Sequence, residues 1–329
     1  MIGRLNEPLV FGRSIGRWSR PLQEVSPLPT LQWITSADDP RMVIYRHKDR
    51  RNHAEFERQV RDIAGRLLHK EAAAMPRSWR QLPCPVKVHY SWDCLQRLLD
   101  ARRDGREVKV ESVLLSNDVD DEQRKLAGQC CEQVLVADRE LIEAEFAFEG
   151  TTQRRSVNYV VAYPKPQPIA LARFLGGLPV LVLDGLGAAQ NIGQILRTAF
   201  HFGVTSILAS RSVWNSLGGR ACRVSMGWLY FMDFFLGEPM VEALKELRER
   251  GCHIYCAEDH FAEAVKPHGP SGKRNWALIV GHEQLGVSKE CIAMSDTCIS
   301  VPSRQGESLN VAHAAAICLY ELSRHMEEP

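Results

Sequence analysis

The stretch 178-LPVLVLDGLGAAQNIGQILRTAFH-201 decides the fold. Leu178 to Leu183 is short and entirely apolar, as a strand is when both faces of a parallel sheet are covered. Beyond it the chain is punctuated by glycines at Gly185, Gly187 and Gly193. Asn191 is placed to cap a helix whose apolar stripe is Ile192, Ile195, Leu196 and Ala199, while Gln194, Arg197 and His201 lie elsewhere on it. The unit is strand, loop, helix, and its loop delivers polar groups to one edge of a sheet. The glycines do not form GxGxxG directly opening a helix, which excludes the usual dinucleotide fingerprint.

Downstream, strand and helix periods keep alternating. Apolar strands are expected at Ser206 to Ala209, His253 to Ala257, Trp276 to Val280 and Cys298 to Val301, with a helix at Val241 to Arg250 stopped by Gly251. With the opening strand these make five, the pattern of a mostly parallel sheet covered by helices. Ligands on such sheets sit beyond the carboxyl ends of the strands, so Gly281 to Gly286 and Pro302 to Asn310 join the first loop as site candidates. The last helix starts at a cap, Ser308 or Asn310, and buries Val311, Ala314, Ala315, Cys318, Leu319 and Leu322.

Upstream, a small α/β unit is expected over 83–165. It has strands at Val86 to His89, Val108 to Leu115, Gln133 to Val136 and Val157 to Ala162, with helices at Trp92 to Arg103, Glu122 to Cys131 and Glu140 to Phe146. Tyr163 to Pro168, YPKPQP, reads as a linker to a third region, 170–329. Residues 1–82 read as an irregular extension carrying one basic amphipathic helix. In that helix, within Arg41 to Lys70, apolar Phe56, Val60, Ile63, Leu67 and Leu68 recur among Arg50, Arg51, Arg58, Arg61 and Arg66, either a solvated face or a surface for RNA phosphates.

Composition adds bounds. A formal charge of +1 over 329 residues means that any nucleic-acid footprint is local. Ten cysteines without an apolar export signal read as reduced thiols in the cytoplasm, and no run could span a bilayer, so no membrane partner is expected. Cys252, His253, Cys256, His260 and His268 fit no zinc spacing, so no metal is expected.

Three segments taken in order resemble the SpoU family of RNA ribose 2′-O-methyltransferases, within the SPOUT superfamily. NIGQILR (Asn191 to Arg197) is similar to its first motif, LIVGHEQLGVS (Leu278 to Ser288) to its second and VPSRQGESLNVAHA (Val301 to Ala314) to its third. The intervening RACRVSMG, Arg220 to Gly227, also matches a segment the family carries. The resemblance implies an α/β fold whose C-terminal chain is threaded into a trefoil knot, preceded by a small ribosomal-protein-like RNA-binding domain. It implies S-adenosylmethionine as cofactor, held by Gly281, Ile299, Val301, Pro302, Ser308 and Leu309, and tRNA or rRNA as partner to a homodimer. His282 stands where relatives commonly have asparagine.

Methyl transfer to a ribose hydroxyl needs alignment of donor and acceptor and loss of a proton from a weakly acidic oxygen. The resemblance assigns that problem to Arg197, with Asn191, Glu283 and Asn310 orienting it and the acceptor. Read alone, the asparagines are helix caps and Arg197 with Glu283 an ion pair. Two other readings share the pattern: a SPOUT enzyme methylating a base, and a non-catalytic RNA-binding or ribosome-assembly protein on a methyltransferase scaffold.

Overall fold

The computed structural model describes residues 30–45, 86–89, 91–146, 157–162, 177–258, 275–302 and 308–324. They form two α/β units, each built on one sheet.

The smaller sheet contains β1 (Gln32–Ile34), β2 (Val86–His89), β3 (Lys109–Ser116), β4 (Val134–Ala137) and β5 (Val157–Ala162), in the order β1-β4-β3-β5-β2. Pairing is parallel from β1 through β4 to β3 and antiparallel from β3 through β5 to β2. Helices α1 (Trp92–Arg103), α2 (Asp121–Cys130) and α3 (Arg139–Phe146) cover it. Asp120 opens α2 with a capping box: its carboxylate accepts from Gln123 N, and the Gln123 side chain accepts from Asp120 N.

One expectation fails at this sheet. Residues 30–45 are not an irregular extension: Ile34 of β1, and Met42 and Tyr45 of a following 3-10 turn, are buried against Leu114, Leu135 and Ile142. The start of the expected basic helix is that turn, and the rest of it, residues 46–70, lies outside the described residues along with the expected linker.

The larger sheet is wholly parallel. It contains β6 (Val180–Leu183), β7 (Ser206–Ala209), β8 (Asp233–Leu236), β9 (His253–Ala257), β10 (Trp276–Val280) and β11 (Thr297–Ile299), in the order β11-β9-β10-β6-β7-β8. β8 is a sixth strand that periodicity did not mark, because DFFL is too short to show either period and takes its register from β7. All residues of β6, β7 and β10 are buried, as uninterrupted apolar strands of a covered sheet must be.

Helix α4 (Ala189–His201) follows β6 and buries the expected stripe, Ile192, Ile195, Leu196 and Ala199, together with Gly193. After it come α5 (Arg211–Ser216), α6 (Gly219–Val224), α7 (Met240–Glu249) and α8 (Lys289–Ala293), and α9 (Val311–Ser323) closes the described chain. α9 packs on α4 and buries Ala312, Ala315, Cys318, Leu319 and Leu322.

Gly193 is where α4 and α6 cross. A Cβ there would lie 2.7 Å from the Ala221 carbonyl oxygen and 2.8 Å from Val224 Cβ. Gly193→Ala is therefore expected to lower stability by about 1–3 kcal/mol, the usual cost of overpacking, read as a lower urea midpoint with an unchanged slope.

The two units share a continuous apolar core that runs from Leu95 and Leu98 of α1 to Tyr230 and Phe231. At the seam the Arg97 guanidinium lies 4.2 Å from the centre of the Trp228 ring, which also stacks on Phe200 of α4 at 4.1 Å. Arg106 bonds Asp233 of β8 at 2.6 Å. The helix that carries the first motif is thus braced from behind by the smaller unit.

Candidate functional site

Three loops leave the carboxyl ends of β6, β10 and β11, and the first two meet through one carboxylate. Glu283, in the turn after β10, accepts from Asn191 Nδ2 at 2.9 Å, from Ala188 N at 3.3 Å and from Gly187 N at 3.5 Å. The third loop joins through Asn310, whose Nδ2 donates to Asn191 Oδ1 at 3.3 Å. The result is a chain of polar groups, Glu283–Asn191–Asn310, drawn from residues up to 119 apart in sequence.

The caps are assigned differently from the expectation. α4 starts at Ala189 after Ala188, which offers no capping side chain, so Asn191 lies inside the first turn. Its amide is committed to Glu283 and Asn310 instead. Asn310 does cap α9, since its Oδ1 accepts from Ala312 N at 2.9 Å, and it does so while donating to Asn191.

Glu283 is electrostatically settled in this setting. Burial raises its pKa, but the hydrogen bonds from Asn191, Gly187 and Ala188 outweigh that and hold the carboxyl below its ordinary 4.5. A depressed carboxylate contributes stability that is present above its unfolded pKa and is lost as pH falls through the folded one. Wild-type protein is therefore expected to lose stability relative to Glu283→Gln below about pH 4.5, with parallel curves above it, in denaturant titrations across pH.

His282 closes the turn after β10 with its own side chain. Its Nδ1 accepts from Gln284 N at 3.0 Å and from Leu285 N at 3.3 Å, the local turn bond that an asparagine side chain makes. The main chain then closes on itself through mutual bonds between His282 and Gly286, each 2.9 Å. Gly281 must lack a side chain here, because a Cβ would fall 2.3 Å from Gly286 C and Val287 N.

Arg197 stands apart. It is six residues beyond Asn191 on α4, roughly 9 Å along the axis and two-thirds of a turn around it. It is exposed, and among the described residues no hydrogen bond or ion pair joins it to Glu283, Asn191 or Asn310. The alternative ion pair with Glu283 is thus not formed. Arg197 instead lines a cavity of about 310 Å³ with Gln194, Thr198, Val224, Ala312, His313 and Ala316. A second cavity, about 530 Å³, lies on the Asn191 side and is lined by Gly187, Ala188, Ala189, Gln190 and Arg220, the last bonded to Gln190 at 2.6 Å.

Of the residues expected to hold a cofactor, Gly281 and Ile299 are buried at strand ends, Val301 is half-buried, and Pro302, Ser308 and Leu309 are exposed. They line neither cavity, and the intervening 303–307 lies outside the described residues. Leu309 is 46% exposed beside the Asn310 cap, an apolar surface left open at the sheet edge. Among the described residues no cluster of three or more His, Cys, Asp or Glu could hold a metal, and no helix is long and apolar enough to cross a membrane. Cys252 is buried, and burial pushes its thiol up to about 12.

Two further carboxylates escaped the sequence reading. Asp184 directly follows β6 and accepts from Ser288 N at 2.8 Å. Glu258 directly follows β9 and accepts from Val287 N at 3.1 Å. Their position, one residue past a buried parallel strand, is the signal that could have found them.

A six-stranded parallel sheet whose carboxyl edge gathers these loops makes this unit an α/β domain with its candidate site beyond the strand ends. Residues 179–320, most of the C-terminal unit, match the SpoU rRNA Methylase family. The chain is 30% identical over 162 residues to an uncharacterised tRNA/rRNA methyltransferase of Mycobacterium tuberculosis, covering 48% of this chain and 56% of that one. It is 30% identical over 149 residues to the 23S rRNA (guanosine-2′-O-)-methyltransferase RlmB of Bordetella pertussis, covering 45% and 60%. The matched region thus spans a little over half the length of these relatives. In fold, the chain is similar to the SpoU methyltransferase AviRb of Streptomyces viridochromogenes, solved in complex with AdoMet, with a TM-score of 0.63 at 16% identity over 88% of this chain and 98% of that one. It is also similar to an rRNA methyltransferase of Sinorhizobium meliloti, with a TM-score of 0.62 at 18% identity over 91% and 99%.

Proposed function

We propose that this chain transfers the methyl group of S-adenosylmethionine to a ribose 2′-hydroxyl of tRNA or rRNA, working as a homodimer in the cytoplasm. The observation that carries the reading is the Glu283–Asn191–Asn310 chain, which joins the three family motifs at one edge of the sheet of a SpoU domain.

The residues present suit the cofactor. Gly281 keeps the loop main chain free of side-chain bulk, Ile299, Val301, Pro302 and Ser308 supply the neighbouring loops, and the open Leu309 offers an apolar surface to a purine. Bound there, it supplies an electrophilic methyl group on a sulfonium. Asn191 and Asn310 orient the acceptor ribose, and Glu283 fixes Asn191. An arginine is effectively always protonated, so the role we assign to Arg197 is to stabilise the negative charge that develops on the 2′-oxygen as its proton passes to solvent water.

Within one chain Arg197 does not reach that cluster, and we infer that it acts across a dimer. Its face of the molecule supports this: Ile317 and Tyr320 of α9 are 38% and 50% exposed, and Tyr320 lies beside Phe202 at the end of α4. The same reading takes 83–165, with β1 and the turn after it added to its sheet and core, as the RNA-binding domain and 170–329 as the methyltransferase domain, with a trefoil-knotted C-terminal segment. The 281–287 loop folded onto Gly281, and α9 packed across β9 and β10, support the knot.

Calorimetry with S-adenosylmethionine separates this reading from an inactive scaffold: saturable binding is expected, and its absence would remove the enzymatic reading. The dimer has its own test. Mixing equal amounts of Arg197→Ala and Glu283→Ala proteins is expected to restore about a quarter of wild-type transfer, because half the dimers are mixed and each mixed dimer has one intact site. Mixtures as inactive as their parents would place both residues in one subunit.

A further inference from the structure

The loop that carries Glu283 is pinned at its exit from both sides. β10, which it leaves, lies between β9 and β6, and the residue just past each neighbour is a carboxylate. Asp184, past β6, holds Ser288 N at 2.8 Å, and Glu258, past β9, holds Val287 N at 3.1 Å.

Glu258 has the larger reach. Its own main-chain N–H donates to Ile299 O at 3.0 Å, so the same residue also ties down the end of β11. Its carboxylate lies against Gly286, where φ is +70° and a Cβ would come within 2.4 Å of Glu258 Oε2. Gly286 and Val287 are in turn the atoms that press onto Gly281. One residue therefore links the loop after β10, through its carboxylate, to the end of β11, through its main chain, and so connects the segments that hold Gly281 and Ile299.

We propose that Glu258 is a positioning residue for the cofactor. It clamps the 281–287 loop against the end of β11, so that S-adenosylmethionine meets a preformed cradle instead of paying to order the loop. The proposal rests on the functional reading above. Reach, not charge, is what the clamp requires: the Val287 N–H needs an oxygen at the end of a three-carbon arm. Glu283 is held separately by Gly187, Ala188 and Asn191, so the clamp acts on binding more than on the chemical step.

Three variants of the full chain test it. Glu258→Ala and Glu258→Asp, which remove or shorten the arm, are expected to weaken S-adenosylmethionine binding in calorimetry about tenfold or more. They should raise its KM in parallel and leave kcat at saturating cofactor within about threefold. Glu258→Gln keeps the arm and an oxygen, and is expected to bind within about twofold of wild type. A reversed pattern, with aspartate tolerated and glutamine not, would mean that the charge acts on the cofactor directly and would overturn the proposal, as would unchanged binding in all three. Hydrogen exchange of residues 282–287 without cofactor gives an independent readout: faster exchange for alanine and aspartate with protection kept by glutamine supports the clamp, and equal exchange in all overturns it. Wild-type protein that binds no S-adenosylmethionine would sink the functional reading, while the exchange pattern still decides the clamp.

Discussion

Arg197→Ala is expected to reduce methyl transfer by about three orders of magnitude, at the upper end of what one group acting on the transferred proton or its oxyanion contributes. S-adenosylmethionine affinity should stay within about twofold, because Arg197 is exposed on α4 and lines a cavity that contains none of the cofactor loops. Stability should barely move, since among the described residues the guanidinium makes no ion pair whose loss would strand a partner. Arg197→Lys is not a conservative control here. A lysine keeps the charge but loses the planar fork, so it should recover only part of the rate if the fork holds both phosphate and 2′-oxygen. Single-turnover transfer together with calorimetry checks the split. Full turnover by the alanine variant would remove Arg197 from the mechanism.

The second large effect is expected at Glu283. Its carboxylate collects three donors, from Asn191, Gly187 and Ala188, and so aligns two loops and the start of α4 at once. Glu283→Ala should cost about 10²-fold in transfer, because a misplacement near 1 Å at the reacting atoms is enough for that. The stability cost should be small by comparison, since Gly187 and Ala188 are exposed and water can take up their N–H groups. Rate lost without stability lost is the signature of an orienting group. Asn191→Ala is expected to follow the same pattern, and the double variant should fall little further than the worse single one, because the two side chains act as a unit.

How much of this could be read from residues alone varies by level. The strand, loop and helix of 178–201 were legible because an all-apolar strand and a 3.6-residue stripe are local signals, and β9, β10 and α9 were legible for the same reason. β1 and β8 were not, since a strand of three or four residues at a sheet edge owes its existence to its neighbour. The failure at Asn191 has the same origin. Capping is a local inference, but the amide is taken by a carboxylate 92 residues away, and only tertiary structure decides that competition. Glu258 and Asp184 were passed over because a carboxylate after a strand looks like any solvated loop residue until the loop it pins is folded over it. What did carry through was the order of the three motifs, which brought Asn191, Glu283 and Asn310 together and left Arg197 at a distance that one chain does not close.

The central claim is that the acceptor is a ribose oxygen, and the position of the transferred methyl group tests it most directly. Protein incubated with S-adenosylmethionine carrying a labelled methyl group and with total tRNA and rRNA, followed by alkaline hydrolysis, should leave label in alkali-resistant dinucleotides, because a methylated 2′-oxygen cannot attack the adjacent phosphodiester. Label recovered in ordinary mononucleotides as a modified base, or no label in RNA at all, would contradict it.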